Sequence, residues 1–203
     1  LLGSISGSML IGKFKGVDIR EMGSGNAGGT NAFRTMGAQF ALIVLLIDII
    51  KGFIAVQYVS NLTLDGFLPC SNINSEILSI ICGCGVVLGH VYPLYYNFKG
   101  GKGAGTMLGV LSALFPIYLI IGLPLWFIVL ICSGYVGLST IIAGIILPIS
   151  TALYYKGGLT TTFGIFTIVI SIFIIFTHRR NIIRMMDGKE SRFEKAMIFR
   201  KKT

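Results

Sequence analysis

The sequence predicts an all-α polytopic membrane protein with seven transmembrane helices, the first of them N-terminally trimmed. Three observations carry that prediction. Of the 203 residues, 54% are hydrophobic and only 12% charged, whereas a soluble domain is about 45–50% apolar and about 25% charged. Four stretches of roughly eighteen or more residues hold at most a charge or two, as membrane spans do. The net charge of +9 is concentrated in segments between apolar runs, the arrangement of cytoplasmic loops under the positive-inside rule. A soluble core, a coiled coil, a disordered tail and a secreted disulfide scaffold are excluded. A nucleic-acid partner is not expected, because the basic residues do not gather on one soluble face.

Each element follows in order. Leu1 to Phe14 reads as the end of a span, too short to cross and without the cleavage pattern of a signal peptide. A chain that starts at Leu1 is expected to be trimmed. Lys15 to Arg34 is polar and glycine-rich, and Met36 to Ser60 is an apolar run holding Asp48 and Lys51. Asn61 to Asn74 is a polar loop with Asp65 and no basic residue. Ser75 to Tyr96 is the next span, followed by basic, glycine-rich Asn97 to Lys102. From Gly103 to Thr177 the only charge is Lys156, and His178 to Thr203 is a basic tail.

Segments 13–34, 97–102 and 178–203 are all rich in Lys and Arg, so all three belong in the cytoplasm. An even number of crossings then separates each pair. The run from Gly103 to Thr177 has room for two long spans or four short ones, since 17 residues still cross. Breakers favour four: Pro116, Gly122 and Pro124 mark one turn, Ser133-Gly134 a second and Lys156-Gly157-Gly158 a third. The Ser133–Thr140 turn then joins the cytoplasmic face. The domain expectation is one integral-membrane domain over 1–203 with a basic cytoplasmic segment at 178–203. Cys70, Cys82, Cys84 and Cys132 lack a second pair or a nearby His, so they read as small apolar residues and no metal or cofactor is expected.

Three segments suit an anion. The first is Gly23-Ser24-Gly25-Asn26-Ala27-Gly28-Gly29-Thr30-Asn31, followed by Arg34. Its glycines free backbone N–H groups to face a ligand, and Arg34 adds a bidentate fork. The alternative is a flexible interhelical loop. The second, Phe98 to Thr106, opens into an apolar helix and encloses Lys102 among Gly100, Gly101 and Gly103. A helix N-terminus with a lysine suits phosphate, although the GxxxxGK[ST] spacing is absent; the alternative is a positive-inside anchor. The third is His178 to Arg184, where His178, Asn181 and Arg184 share a helical face; the alternative is an amphipathic tail on anionic lipid. Asp48 and Lys51, three apart in mid-span, are spaced to pair. His90 is either a hydrogen-bonded helix histidine or a support for the glycine-rich loop. No carboxylate pair, HxxxxD pattern or Ser or Cys with an obvious base is present, so any chemistry relies on binding and electrostatics. An organophosphate permease would share the anion loops, but it needs a polar path outward.

These motifs resemble those of the bacterial membrane glycerol-3-phosphate acyltransferases that use acyl phosphate, the PlsY family. The resemblance rests on GSGNAGGTNAFR (Gly23 to Arg34), LGHVYP (Leu88 to Pro93), FKGGKG (Phe98 to Gly103), HRRNIIR with its GKE sequel (His178 to Glu190), and the stretch Asp48 to Gly52. It spans essentially the whole chain. It implies a seven-helix inner-membrane enzyme with its site toward the cytoplasm. Such an enzyme moves a fatty acyl group from acyl phosphate to the 1-hydroxyl of glycerol 3-phosphate, giving lysophosphatidic acid and phosphate. The partners implied are those two substrates, membrane lipid and a functional link to the enzyme making acyl phosphate. Carried over by motif, Lys102, Ser24 and Arg34 are catalytic, and Asn26, Thr30, Asn31, Gly100, Gly101, Gly103, His178 and Asn181 bind substrate. Two positions depart from the family: Gly29, commonly Ala, and Gly137, where the family has a substrate-contacting serine. Ser139 and Thr140 lie two and three residues on and are expected to compensate, with Gly137→Ser tolerated or mildly activating.

Overall fold

The computed structural model describes residues 1–62 and 74–198. Asp65 and Cys70 of the polar loop, and residues 199–203 of the basic tail, lie outside the described residues. Among the described residues the structure is helical, with no strand. The helices are α1 (Gly7–Phe14), α2 (Gly29–Met36), α3 (Ala38–Gln57), α4 (Ser75–Val91), α5 (Ala104–Leu114), α6 (Ile117–Ser133), α7 (Val136–Tyr154), α8 (Thr162–Thr177) and α9 (Arg179–Met186). They form two compact units, Leu1–Pro116 and Ile117–Thr203.

Among the described residues, three segments are long and apolar enough to cross a bilayer: Ala38–Asn61, Ser75–Tyr96 and Val136–Tyr154. A fourth results if α8 and α9, bent by 51° at His178, form one span. The 11 residues of α5 measure about 16 Å, about half the hydrocarbon thickness. Helix length alone therefore does not secure seven crossings.

Two boundaries differ from the sequence expectation. Gly122 and Pro124 do not mark a turn, since α6 runs through both; a membrane helix keeps its backbone bonded within itself and tolerates proline inside. The turn is at Phe115-Pro116, where Phe115 leaves the helical conformation, as the residue before a proline is disposed to do. The Ser133–Thr140 turn contracts to Gly134-Tyr135, so Gly137, Ser139 and Thr140 already belong to α7. The breaks after Ser133 and around Lys156 to Gly158 fall where expected.

The first unit is built on α3. Glycines let α5 lie directly on it: a Cβ on Gly52 would overlap the Thr106 carbonyl, and one on Gly109 the Ile49 carbonyl. Such small-residue contacts drive helix association where lipid removes the hydrophobic incentive. A small apolar core of Ile19, Ala32, Phe40, Ala41 and Val44, flanked by Ile11 and Met36, joins α1, the turn at Ile19–Glu21, α2 and α3.

The N-terminal segment is not one helix end. Leu2–Ser4 is a 3-10 turn, Ile5 and Ser6 are extended, and α1 starts afresh at Gly7. A break at membrane depth leaves backbone groups that water cannot serve. The paired charges of α3 serve them instead. Lys51 Nζ donates to the Ile5 carbonyl at 2.6 Å, and Gly7 N–H donates to Asp48 Oδ1 at 3.4 Å. Lys51 and Asp48 are 2.9 Å apart, and both are 3% exposed.

Removing one partner of a buried ion pair costs about 3–5 kcal/mol, because the other charge is stranded. Lys51→Met is therefore expected to lower the thermal unfolding temperature in detergent sharply. The double variant Asp48→Asn/Lys51→Met should recover much of the loss. A Lys51→Met protein that melts like wild type would remove the pair from this role.

Candidate active site

The first glycine-rich segment sits between α1 and α2 and is braced from several sides. The Asn31 amide oxygen accepts from Ser24 N–H at 2.9 Å, and its nitrogen donates to the Ile19 and Met22 carbonyls, both at 3.0 Å. Asn31 is 1% exposed. Its amide thus braces the loop, a different task from the substrate contact expected of it. Ser8 Oγ holds the Ala27 carbonyl at 2.8 Å. Around these braces Ser24 and Arg34 are exposed, while Asn26 and Thr30 are half-buried. Phosphate-suited donors are thereby presented by a fixed backbone rather than a flexible one.

A second brace has no signature in the sequence pattern. Arg20 grips both oxygens of Asp18, with Nη2 at 2.7 Å, and its Nη1 donates to the Tyr96 carbonyl at 3.1 Å. The clamp ties the first loop to the second. The Arg20 guanidinium holds the Asp18 carboxyl below the usual carboxylate range. A depressed carboxyl contributes its stability above its ordinary value of about 3.9 and loses it as pH falls below that, so the clamp is intact at neutral pH.

The second segment closes against the end of α4. Gly100 N–H donates to the Val91 carbonyl and Gly101 N–H to the His90 carbonyl, each at 3.2 Å. Those two N–H groups were expected to face a phosphate; they hold the loop instead. A Cβ on Gly100 would overlap the His90 carbonyl, and one on Gly101 the His90 imidazole, so the approach requires glycine at both positions. Gly103 caps α5 with φ +88°. Lys102 stands half-buried beside the first turn of α5, whose N–H groups at Ala104, Gly105 and Thr106 fall outside the helical ladder. The anion-suited groups of this segment are thus Lys102 and that helix start.

In the second unit, α8 ends at Thr177 and α9 begins after His178. His178 Nδ1 lies 2.8 Å from the Ile174 carbonyl. A carbonyl only accepts, so Nδ1 is the donor of that contact. Asn181 donates to Glu190 Oε1 at 2.8 Å, and Arg184 pairs with Glu190 Oε2. Asn181 and Arg184 do share a face of α9. Glu190, 8% exposed, organises that face. Nothing in its spacing signals this, because the chain first turns at Asp187-Gly188.

The odd turn of α7 is occupied. Ser139 is fully buried and donates to the Tyr135 carbonyl at 2.9 Å. Thr140 donates to the Val136 carbonyl at 3.0 Å and receives the Trp126 indole N–H at 3.1 Å. Both hydroxyls thus carry local hydrogen bonds, as Ser and Thr commonly do in helices. A Cβ on Gly137 would stand 2.9–3.1 Å from Asn181. The Asn181 side chain therefore lies against the position where a serine would begin.

Comparison with known proteins agrees with this arrangement. The family model for glycerol-3-phosphate acyltransferases matches residues 1–188. The chain belongs to the glycerol-3-phosphate acyltransferase family. Relatives bearing that name include those of Chlorobium phaeobacteroides (strain BS1), 36% identical with 95% of this chain and 92% of the relative covered, and of Geotalea daltonii (strain DSM 22248 / JCM 15807 / FRC-32), 38% identical with 96% and 94% covered. A solved structure of PlsY, an integral membrane glycerol 3-phosphate acyltransferase, in its glycerol 3-phosphate form aligns with TM-score 0.80 and 36% identity, covering 95% of this chain and 90% of that one. Its lysophosphatidic acid form aligns with TM-score 0.77. The acyltransferase family membership, the helical architecture and the apolar spans make this a multi-pass membrane protein of the PlsY type.

The geometry around Gly137 reverses the expectation for its substitution. A serine there pushes Asn181 off Glu190, and a hydrogen bond to a charged group is worth about 1.5–3 kcal/mol. Gly137→Ser and Gly137→Ala should both lower acyltransferase kcat/KM, by ~10-fold if that bond is lost. A Gly137→Ser enzyme faster than wild type, with Gly137→Ala slower, would show that the hydroxyl is accommodated and useful.

Proposed function

We propose that the protein transfers a fatty acyl group from acyl phosphate to the 1-hydroxyl of sn-glycerol 3-phosphate, giving lysophosphatidic acid and inorganic phosphate. The observation that carries this reading is the braced pair of loops in the first unit, which present Ser24, Arg34, Lys102 and the start of α5 as donors. Anion donors of this kind suit substrates that both bear phosphate. The glycerol 3-phosphate and lysophosphatidic acid forms of the PlsY neighbour support an acceptor and product of that chemistry.

Arg34 forks a phosphate and Lys102 supplies a point charge. Ser24, Asn26 and Thr30 add neutral donors. Asn31, Gly100 and Gly101 act by shaping the loops, with Gly103 starting the helix. His178 and Asn181 contact substrate, Asn181 from a face fixed by Glu190. Ser139 and Thr140 retain acceptor lone pairs and remain secondary candidates.

The glycerol hydroxyl attacks the acyl carbonyl directly. The new ester C–O bond forms as the bond from the carbonyl carbon to the phosphate oxygen breaks. The hydroxyl proton passes to the departing phosphate, so no acyl-enzyme arises and no protein base is needed. Lys102 and Arg34 stabilise the phosphate charge as it develops.

The protein is proposed as a seven-crossing bacterial inner-membrane enzyme, with segment 1–14 as the end of a trimmed first crossing, α3, α4, α5, α6, α7 and α8 as the other six in order, and the loops of segments 13–34 and 97–102 and the 178–203 segment in the cytoplasm. It acts as a single domain over 1–203 and depends on the enzyme that makes acyl phosphate.

Purified protein is expected to turn over acyl phosphate and to be nearly inactive with acyl-CoA; equal rates with both would refute the donor assignment. Lys102→Ala removes a charged hydrogen bond of about 1.5–3 kcal/mol, so kcat/KM should fall at least ~10-fold. Arg34→Lys should also slow the enzyme, since lysine lacks the bidentate fork. Near-wild-type kinetics in either variant would remove that residue from the site.

A further inference from the structure

His90 lies near the end of α4 and is 2% exposed. Its Nδ1 is 2.8 Å from Lys51 Nζ and 3.3 Å from Asp48 Oδ1. A lysine ammonium has three N–H bonds to give and accepts none. Here it meets three acceptors: the Ile5 carbonyl, Asp48 Oδ1 and His90 Nδ1. In that arrangement Nδ1 accepts from the ammonium. That contact fixes the ring plane, because Nδ1 must face Lys51. The opposite edge of the ring, at Nε2, abuts Gly101, where a Cβ would overlap it. The His90 main chain acts on the same residues, its carbonyl accepting from Gly101 N–H and crowding Gly100. Lys102 follows directly.

We propose that Asp48, Lys51 and His90 form a positioning device for the Gly100–Lys102 loop, in which the buried ammonium sets the His90 ring and the ring sets where Lys102 meets the substrate phosphate. None of the three touches substrate. The chain of contact is packed and discrete: Ile5 and Asp48 fix the ammonium, the ammonium fixes Nδ1, and the rigid ring carries that constraint to Gly101. A mid-membrane ion pair is costly to keep, and this arrangement gives it a task beyond closing the break at Ile5. The inference rests on the reading that Lys102 binds phosphate.

The test is a double-mutant cycle on acyl transfer with glycerol 3-phosphate. His90→Asn keeps an amide oxygen where Nδ1 stands, so Lys51 retains its third acceptor, but it removes the ring edge from Gly101. Gly101→Ala displaces the ring from the loop side and changes no charge. Each variant is expected to raise the KM for glycerol 3-phosphate ~10-fold or more, as displacement of a site by about an ångström can, with kcat changed less; His90→Asn, which keeps the third acceptor, should melt near wild type. Combined with Lys102→Ala, each should add little further loss, because groups acting through one contact are not additive.

Full additivity of either variant with Lys102→Ala would overturn the positioning role and leave the phosphate reading intact. A Lys102→Ala enzyme with wild-type kinetics would overturn the phosphate reading and the positioning role with it. If one variant fails to fold, the other decides by the same cycle. Wild-type KM in a folded Gly101→Ala protein would also sink the proposal.

Discussion

One ammonium group with three acceptors organises the first unit. Lys51 sits in the middle of an apolar helix, where a charge is tolerated only if its donors are all met. The Ile5 carbonyl, Asp48 and His90 meet them. Each of these partners belongs to a different problem. Ile5 is the broken backbone before α1, Asp48 is the counter-charge one turn earlier on α3, and His90 is the end of α4 behind the second glycine-rich loop. A hydrocarbon side chain at position 51 would leave all three unresolved. The pair is therefore best understood as backbone chemistry moved onto side chains, in a place where neither helix nor water can supply it.

The same logic divides the glycine-rich motifs into residues that hold and residues that present. Asn31, Gly100 and Gly101 are engaged with neighbouring main chain, and Arg20 clamps Asp18 while reaching the Tyr96 carbonyl. Ser24 and Arg34 are exposed on that framework and Lys102 is half-buried in it. Fixed donors need little reorganisation as charge develops, which is where electrostatic catalysis gains most. Much of the polar composition of these motifs is therefore framework.

The broad architecture was legible because its signals are physical and local. Apolar runs of span length marked α3, α4 and α7, and the breaks at Gly134 and Lys156 marked the ends of α6 and α7. Pro124 misled because proline stops helices in water but is carried inside them in lipid. The eight-residue helices α2 and α9 were hidden in polar segments, since their stability comes from packing rather than from a long apolar period. Asp48 and Lys51 announced themselves by spacing alone. Arg20, Glu190 and the bracing task of Asn31 did not, because they depend on carbonyls and carboxylates brought near by turns that no periodicity records. Gly137 looked like a missing hydroxyl from the sequence; its meaning changes once the Asn181 side chain is seen beside it.

The central claim is that the buried ammonium, through His90, holds the loop that carries Lys102. Hydrogen–deuterium exchange of the segment spanning Gly100 and Gly101, in the purified protein with and without the Lys51→Met substitution, reads this most directly. The account predicts slow exchange in the wild-type protein and a marked acceleration at this loop in Lys51→Met, larger than at α7 or α8. Unchanged protection at Gly100 and Gly101 in a folded Lys51→Met protein would contradict it.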